Sequence, residues 1–126
     1  MSTVVVATVK SNSSSPPAFQ NTSGTEVGTL CRAWVNFNGT GTVAIRAQFN
    51  VSSITDNAVG DYTVNFTNAL ADANYAVTQA YTPSSSATYV AQVSTMTASS
   101  VRMGSYLNYT NGLNLDQSMV SVAIFR

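Results

Sequence analysis

The sequence predicts an all-β protein, and three observations carry that prediction. Apolar and polar residues alternate with a period of two over short segments, as in half-buried strands. Turns containing glycine and asparagine separate these segments at intervals of roughly ten residues, and no segment shows helical spacing. Such a pattern is typical of a sandwich or a barrel. We expect an antiparallel, jelly-roll-like β-sandwich, and 126 residues suffice for one domain with its own core.

The N-terminal segment is expected to be distinct from the main body. Residues 2–9 (STVVVATV) are β-branched and predict a strand, whereas residues 10–20 (KSNSSSPPAFQ) predict an extended linker. A strand set apart in this way makes sense if it pairs with another chain. We therefore assign 1–20 to attachment or trimer contact and 21–126 to the sandwich, with attachment residues Val4, Val5, Val6 and Phe19.

The clearest strand pattern runs from Thr25 to Phe66. Its first strand is predicted over Thr29–Phe37. One face of that strand carries the apolar set that we place in the core: Cys31, Ala33, Val35 and Phe37. Leu30 and Trp34 lie on the opposite face.

The rest of this stretch predicts two or three further strands. Asn38-Gly39-Thr40-Gly41 predicts a type I′ hairpin turn, because Asn-Gly tolerates positive φ angles. A half-buried strand is expected over Val43–Asn50, continued or bent over Val51–Ile54 by a bulge at Ser52-Ser53. A loop over Asp56–Asp61 then precedes a strand over Tyr62–Phe66.

The second half repeats the alternation less regularly. Turns or loops are predicted over Asn68–Asn74 and Asn108–Asp116. The expected strands are Tyr75–Tyr81, Ala87–Met96, Val101–Leu107 and Gln117–Phe125.

The charge content is low and balanced. Charged residues make up 8% of the chain, and the net charge is zero. A basic patch for phosphate is therefore excluded, which argues against nucleic acid as a partner, and electrostatic binding to membranes is equally unsupported. A surface so poor in charge favours self-association, so we expect a subunit of an assembly; a charge-poor monomer is the alternative.

Targeting signals and membrane spans are not evident in the sequence. The N-terminus lacks the basic lead-in and long apolar core of a signal peptide, and no apolar segment approaches the length of a membrane span. We expect a protein made in the cytoplasm and not secreted, with no membrane insertion.

Catalysis is not expected from these residues. The chain has no histidine and a single cysteine, which excludes Ser-His-Asp and Cys-His arrangements and the usual zinc sites. The aspartates fall in segments predicted to be loops or turns, and the Asp56–Asp61 loop lacks the ligand spacing of a calcium loop. We predict no enzymatic activity, no metal and no cofactor.

Tyrosine and asparagine near the strand ends of the second half are the best contact candidates. Tyrosine with serine and asparagine makes a hydrogen-bonding contact surface of low conformational entropy, and aromatic faces also stack on sugar rings. Ordinary cross-strand packing is the alternative for any single tyrosine. The candidate receptor contacts are Tyr81, Tyr89, Tyr106, Asn108, Tyr109, Asn111 and Asn114.

Two blocks of the first half carry a family resemblance. They are CRAWVNFNGTGT at 31–42 and SITDNAVGDYTVNF at 53–66, led by PPAFQNTSGTEVG. Over roughly Gly24 to Val77 the chain resembles a domain of bacteriophage tail-fibre and related virion appendage proteins, notably from phages of marine bacteria.

The resemblance implies a homotrimeric β-sandwich of the virion. Its partners would be its own copies, other virion proteins and a host-surface receptor, which we expect to be a glycan. A tail fibre or short knob is the leading expectation. The alternative is a structural protein of the capsid surface or tail joint, anchored by its N-terminal strand.

Overall fold

The computed structural model describes residues 3–12, 16–82, 89–107 and 114–126, with the backbone alone described for residues 89, 106 and 107. The chain forms two compact units, Met1–Leu30 and Cys31–Arg126. The sequence had placed its boundary after residue 20. None of the described residues belongs to a helix that could cross a bilayer.

The first unit contains one small antiparallel pair of strands, β1 (Phe19–Gln20) and β2 (Glu26–Gly28). The turn between them is organised by Asn21, whose Oδ1 accepts hydrogen bonds from the backbone N–H groups of Ser23 and Thr25. This is the local bonding that favours asparagine in turns.

The N-terminal strand predicted over residues 2–9 is not formed in its described part, residues 3–9. Residues 3–12 belong to no strand, and the side chains of Val4, Val5 and Val6 are exposed. The physical reason is that β-branched residues favour an extended backbone but become a strand only when a neighbour supplies the ladder of hydrogen bonds.

The second unit is an antiparallel β-sandwich, which confirms the predicted fold class. Eight strands form two four-stranded sheets, and the ladders within both are antiparallel. We call the sheet with the strand order β4-β3-β10-β7 the Trp34 sheet. The sheet with the order β5-β6-β9-β8 is the Asp61 sheet. The strands are β3 (Cys31–Asn38), β4 (Ala44–Phe49), β5 (Val51–Ala58), β6 (Asp61–Phe66), β7 (Ala76–Tyr81), β8 (Tyr89–Met96), β9 (Ser100–Leu107) and β10 (Val120–Phe125).

The core follows the period of two. Ala33, Val35 and Phe37 of β3 are buried, as predicted, whereas Cys31 is only half-buried. The other sheet contributes Tyr62, whose ring meets that of Phe37 edge-on with centroids 5.2 Å apart. Further core side chains are Val51, Val64, Phe66, Leu70, Tyr75, Val101, Met103, Val120, Val122 and Ile124.

Strand β4 departs from the prediction of a half-buried strand. All six of its residues are exposed, and its aromatic residue Phe49 is 54% exposed. Alternation alone marks which residues share a face. It does not show that a strand lies at a sheet edge, where β4 pairs with β3 and the facing sheet covers less of it.

The two loops predicted around β4 and β5 also differ from expectation. Asn38 belongs to β3, the connection spans residues 39–43, and its positive φ is at Gly41 (63°) rather than at an Asn-Gly pair. The Nδ2 of Asn38 donates to the carbonyl oxygen of Thr40 at 2.7 Å, so this asparagine closes the turn with its side chain. Strand β5 continues through Asp56 to Ala58. Its ladder with β6 has two bulges, and the one between Val51 and Ser53 lies where a bulge was predicted.

One end of the sandwich is closed by a buried phenol. The hydroxyl of Tyr62 lies 2.7 Å from Asp116 Oδ1 and 2.9 Å from the carbonyl oxygen of Gly39, and can donate to one at a time. The same Oδ1 accepts the backbone N–H of Gly60 at 2.7 Å. Burial, followed by the nearby Asp116 carboxylate, raises the pKa of Tyr62, which keeps the phenol a neutral donor.

The outer face of the Asp61 sheet is polar. Asn57 donates to Thr63 Oγ1 at 2.9 Å, and Asn65 donates to Thr55 Oγ1 at 3.0 Å. Asp61 receives two hydrogen bonds from Arg102, from Nε at 2.9 Å and from Nη2 at 2.6 Å. Hydroxyls, amides and one ion pair thus cover this face.

The Asp61–Arg102 pair predicts a pH dependence of stability. The hydrogen bonds from Arg102 hold the pKa of Asp61 below its ordinary value of 3.8. Because the folded form then binds protons less readily than the unfolded form, the pair stabilises the fold above about pH 4, and this contribution is lost as pH falls through the lower, folded-state pKa.

We therefore expect Asp61→Asn to lower the free energy of unfolding at neutral pH. In acid the variant and the wild type are expected to become equally stable. Urea denaturation of both proteins across the acid range measures it. Equal pH slopes for the two proteins would contradict the assignment.

Candidate functional site

The outer face of the Trp34 sheet carries a shallow groove. Alternation along β3 turns Ala33, Val35 and Phe37 inward, so Trp34 and Asn36 point outward. The same alternation turns Ser121 and Ala123 of β10 outward, together with Thr78 and Ala80 of β7.

The register brings these side chains into two rows. Trp34 pairs with Ala123, which pairs with Thr78 on its other side. In the next row Asn36 pairs with Ser121, and Ser121 pairs with Ala80. All six residues line a depression of about 440 Å³.

The sizes of the side chains explain the depression. Alanine and serine on β10 and β7 leave a low floor, whereas the indole of Trp34 stands beside it. Trp34 is 39% exposed, so a large part of its ring is open to solvent. The groove therefore combines an accessible aromatic surface with space for a ligand.

Polar groups lie in the second row. The Nδ2 of Asn36 donates to Ser121 Oγ at 2.7 Å. Outside the groove, the guanidinium of Arg46 donates to Asn36 Oδ1 at 3.4 Å and to the carbonyl oxygen of Ser118 at 2.6 Å. These contacts hold the Asn36 amide in place, which favours a preformed hydrogen-bonding site.

The lining of the groove is free of charge. Its residues are tryptophan, valine, alanine, asparagine, glutamine, serine and threonine, and none of these side chains titrates near neutral pH. Such a lining can stack an aromatic face on a ligand and exchange hydrogen bonds with its hydroxyls. It offers neither a general base nor a counter-charge for an anion.

Neither Tyr81 nor Asn114, the two predicted receptor contacts whose side chains the structure describes, lines the groove. The side chain of Tyr81 is half-buried, with its hydroxyl 2.6 Å from Gln79 Oε1 and 3.1 Å from the carbonyl oxygen of Gly104. Tyr89 begins β8 and Tyr106 lies near the end of β9. Asn108, Tyr109 and Asn111 lie outside the described residues.

Asn114 is held near the strand that carries Tyr106. It is half-buried, and its Oδ1 is buried without a hydrogen bond from the described residues. The next residue, Leu115, accepts the hydroxyl of Ser105 at 2.7 Å. The structure thus brings Asn114 towards the end of the sandwich where β9 ends, and the assignment of this end to receptor contact stays a prediction.

The attachment candidates are all exposed. Val4, Val5 and Val6 lie outside any strand, and Phe19 lies in β1 opposite Gly28. Exposed apolar side chains in such a group are typical of surfaces that contact another protein.

The sequence contained part of the signal for the groove. Trp34 is out of phase with the core set of β3, which predicts an outward indole. The other walls come from β7 and β10, and Ser121 lies 85 positions after Asn36. The sequence predicted contact residues in the second half alone, whereas the groove draws on both halves of the chain.

The described residues contain no group of three or more metal-ligating side chains of the His, Cys, Asp or Glu type. Comparison of the chain with protein-family models, with curated proteins and with solved structures finds no match.

Proposed function

We propose that this protein is a bacteriophage virion surface protein that binds a neutral host-surface glycan through the groove beside Trp34. The observation that carries the binding is the groove itself, where an exposed indole stands next to a small-residue floor and a fixed amide. The virion assignment rests on the resemblance of residues 31–42 and 53–66 to tail-fibre domains.

The chemistry of a sugar suits this groove. The C–H face of a pyranose ring is apolar and packs on an aromatic ring, as the exposed indole of Trp34 allows. Sugar hydroxyls both donate and accept, which matches the amide of Asn36 and the hydroxyls of Ser121 and Thr78. A lining without charge favours neutral sugars over acidic ones.

Affinity at a single groove of this kind is expected to be modest. A shallow site on one sheet face buries only part of a ligand. A homotrimer on a virion would present several grooves together, and linked sites bind more tightly than any one of them by orders of magnitude. We therefore propose a trimer that acts through avidity.

The proposal is tested by glycan-array and host-cell binding of the purified protein, displayed at high density on beads. Trp34→Ala is expected to weaken binding by about tenfold or more, because truncation of a central aromatic anchor typically costs about 2 kcal/mol. Phe125→Ala is the matched control. Phe125 is an aromatic residue of similar exposure, 38% against 39%, that points outward from the same sheet but does not line the groove.

Two outcomes would contradict the groove as the site. Equal losses of binding in Trp34→Ala and Phe125→Ala would indicate a general effect on the sheet. Full binding by Trp34→Ala together with loss in Tyr109→Ala would place the contact at the tyrosine-bearing end instead. Failure of the wild type to bind any neutral glycan or host cell at high density would overturn receptor binding altogether.

The alternative is a structural protein of the capsid surface or tail joint. The exposed apolar residues Val4, Val5, Val6 and Phe19 favour it, since they suit docking onto another virion protein. Deletion of residues 1–20 separates the two functions. Receptor binding predicts a truncated protein that no longer joins the virion but still binds cells when it is displayed at high density on beads. A structural role predicts unstable virions and no cell binding by either form.

A further inference from the structure

We infer that residues 3–9 of one copy add as a fifth strand to the open edge of β7 in a second copy. The inference rests on two features that match each other. One is an apolar segment of strand-forming residues that pairs with no described strand. The other is a sheet edge that lacks the usual protection against pairing.

The segment is Thr3-Val4-Val5-Val6-Ala7-Thr8-Val9. Four of its seven residues are valine, a residue type enriched in strands, and none is charged, proline or glycine. Val4 and Val5 are 83% and 90% exposed. Burial of such side chains and pairing of their backbone would both favour association.

The four sheet edges differ in their protection. A bulge interrupts the ladder of β4, which also carries Arg46. Two bulges interrupt that of β5, which also carries Asp56. A bulge interrupts β8 near Ser94. Bulges and charges are the devices by which natural edge strands avoid pairing with other chains.

Strand β7 carries none of these devices. Its six residues, AVTQAY, pair with β10 in unbroken register from Ala76 opposite Phe125 to Tyr81 opposite Val120. The strand contains no charge, proline or glycine. In the described part of the chain β10 is its one ladder partner, so no described strand pairs with the other side of β7 over residues 76–80.

Addition at β7 would join copies head to tail. The segment of one copy meets the edge of the next, so the contact is heterologous, and it closes into a ring when the rotation between copies allows. A ring of three is the trimer proposed above. The new strand would also border the groove, because Thr78, Gln79 and Ala80 of β7 belong to its lining.

Light scattering coupled to size exclusion tests the association with the full chain. The wild type is expected to show a multiple of 13.2 kDa. Val5→Pro is expected to fall to a single chain, because proline removes a ladder donor in the middle of the segment. Asn12→Pro, which introduces the same residue in an exposed position beyond the segment, is expected to retain the wild-type mass.

Hydrogen exchange identifies the receiving edge. Those backbone amides of residues 76–81 that point away from β10 are expected to exchange about tenfold or more faster in Val5→Pro than in the wild type. The amides of β7 that face β10, and those of β4 (44–49) and β5 (51–58), keep their rates. A sandwich core with unchanged protection shows that the variant is folded.

Each alternative outcome overturns the inference. A wild type of 13.2 kDa at every concentration would mean a monomer, whether or not the segment folds back on its own chain. An unchanged mass for Val5→Pro would mean that the assembly uses other contacts. A rate change at β4 or β5 instead of β7 would assign the segment to a different edge. None of these readouts depends on glycan binding.

Discussion

Phe37→Ala is expected to lower the free energy of unfolding by about 3–5 kcal/mol. Phe37 has no exposed surface, and its ring packs edge-on against that of Tyr62. Its loss would leave a cavity between the two sheets where neither backbone ladder can move to fill the space. Since a domain of this size is stable by about 5–15 kcal/mol, the change removes a large part of the total.

Urea denaturation of the wild type and the variant measures this loss. Phe49→Ala on the neighbouring strand is the matched control, since the same side chain is truncated where it is 54% exposed. It is expected to cost about 1 kcal/mol or less. Similar losses at the two positions would show that Phe37 does not have the central packing role described above.

Gly39→Ala is expected to destabilise the protein by about 1–3 kcal/mol through overpacking. A Cβ at Gly39 would lie 2.5 Å from the hydroxyl oxygen of Tyr62 and 3.0 Å from the carbonyl oxygen of Gln117. The Gln117 carbonyl also accepts the backbone N–H of Gly39 at 2.9 Å. The new methyl group is thus confined between a buried phenol and the backbone.

A double-mutant cycle with Tyr62→Phe tests the cause. Tyr62→Phe removes the oxygen nearest the new Cβ, so Gly39→Ala is expected to cost less in that background than in the wild type. Urea denaturation of the four proteins gives their free energies of unfolding, and from these the coupling energy between positions 39 and 62. Strict additivity would mean that the Tyr62 hydroxyl is not what excludes a side chain at position 39.

The sequence predicted the sandwich and most of its strands because alternation is a local property. In β3 the inward set of Ala33, Val35 and Phe37 could be recognised without knowledge of the neighbouring strands. The same reasoning was wrong for β4, since a pattern of two faces does not show that a strand lies at an edge. It was also wrong for residues 3–9, where strand propensity is not completed by a ladder with any described strand.

The sequence predicted the position of the turn between β3 and β4 but not its conformation. Asn38-Gly39 suggested a two-residue hairpin, yet the longer 39–43 connection places its positive φ at Gly41. The close approach of Tyr62 to Gly39 gives another reason for a glycine at position 39. That reason comes from a residue 23 positions away, which no local pattern reveals.

The groove depended on pairings between distant parts of the chain. Trp34 could be placed on the outward face of its strand, but the small residues beside it belong to β10. The adjacency of β3 and β10 is a feature of topology rather than of composition. The tyrosines of the second half were more conspicuous in the sequence, and Tyr81 proves to be half-buried, with its hydroxyl close to Gly104.

Along β3, β10 and β7, neighbouring positions have different roles because their side chains point to opposite faces of the sheet. Inward residues such as Val35 and Val122 build the core, whereas the outward ones between them, such as Asn36 and Ser121, contact solvent. The outward residues can therefore be changed by mutation with little loss of folding stability. If the groove binds a host glycan as we propose, a lineage could change its receptor in this way. An engineer could diversify the same positions to select binders for new ligands on one scaffold.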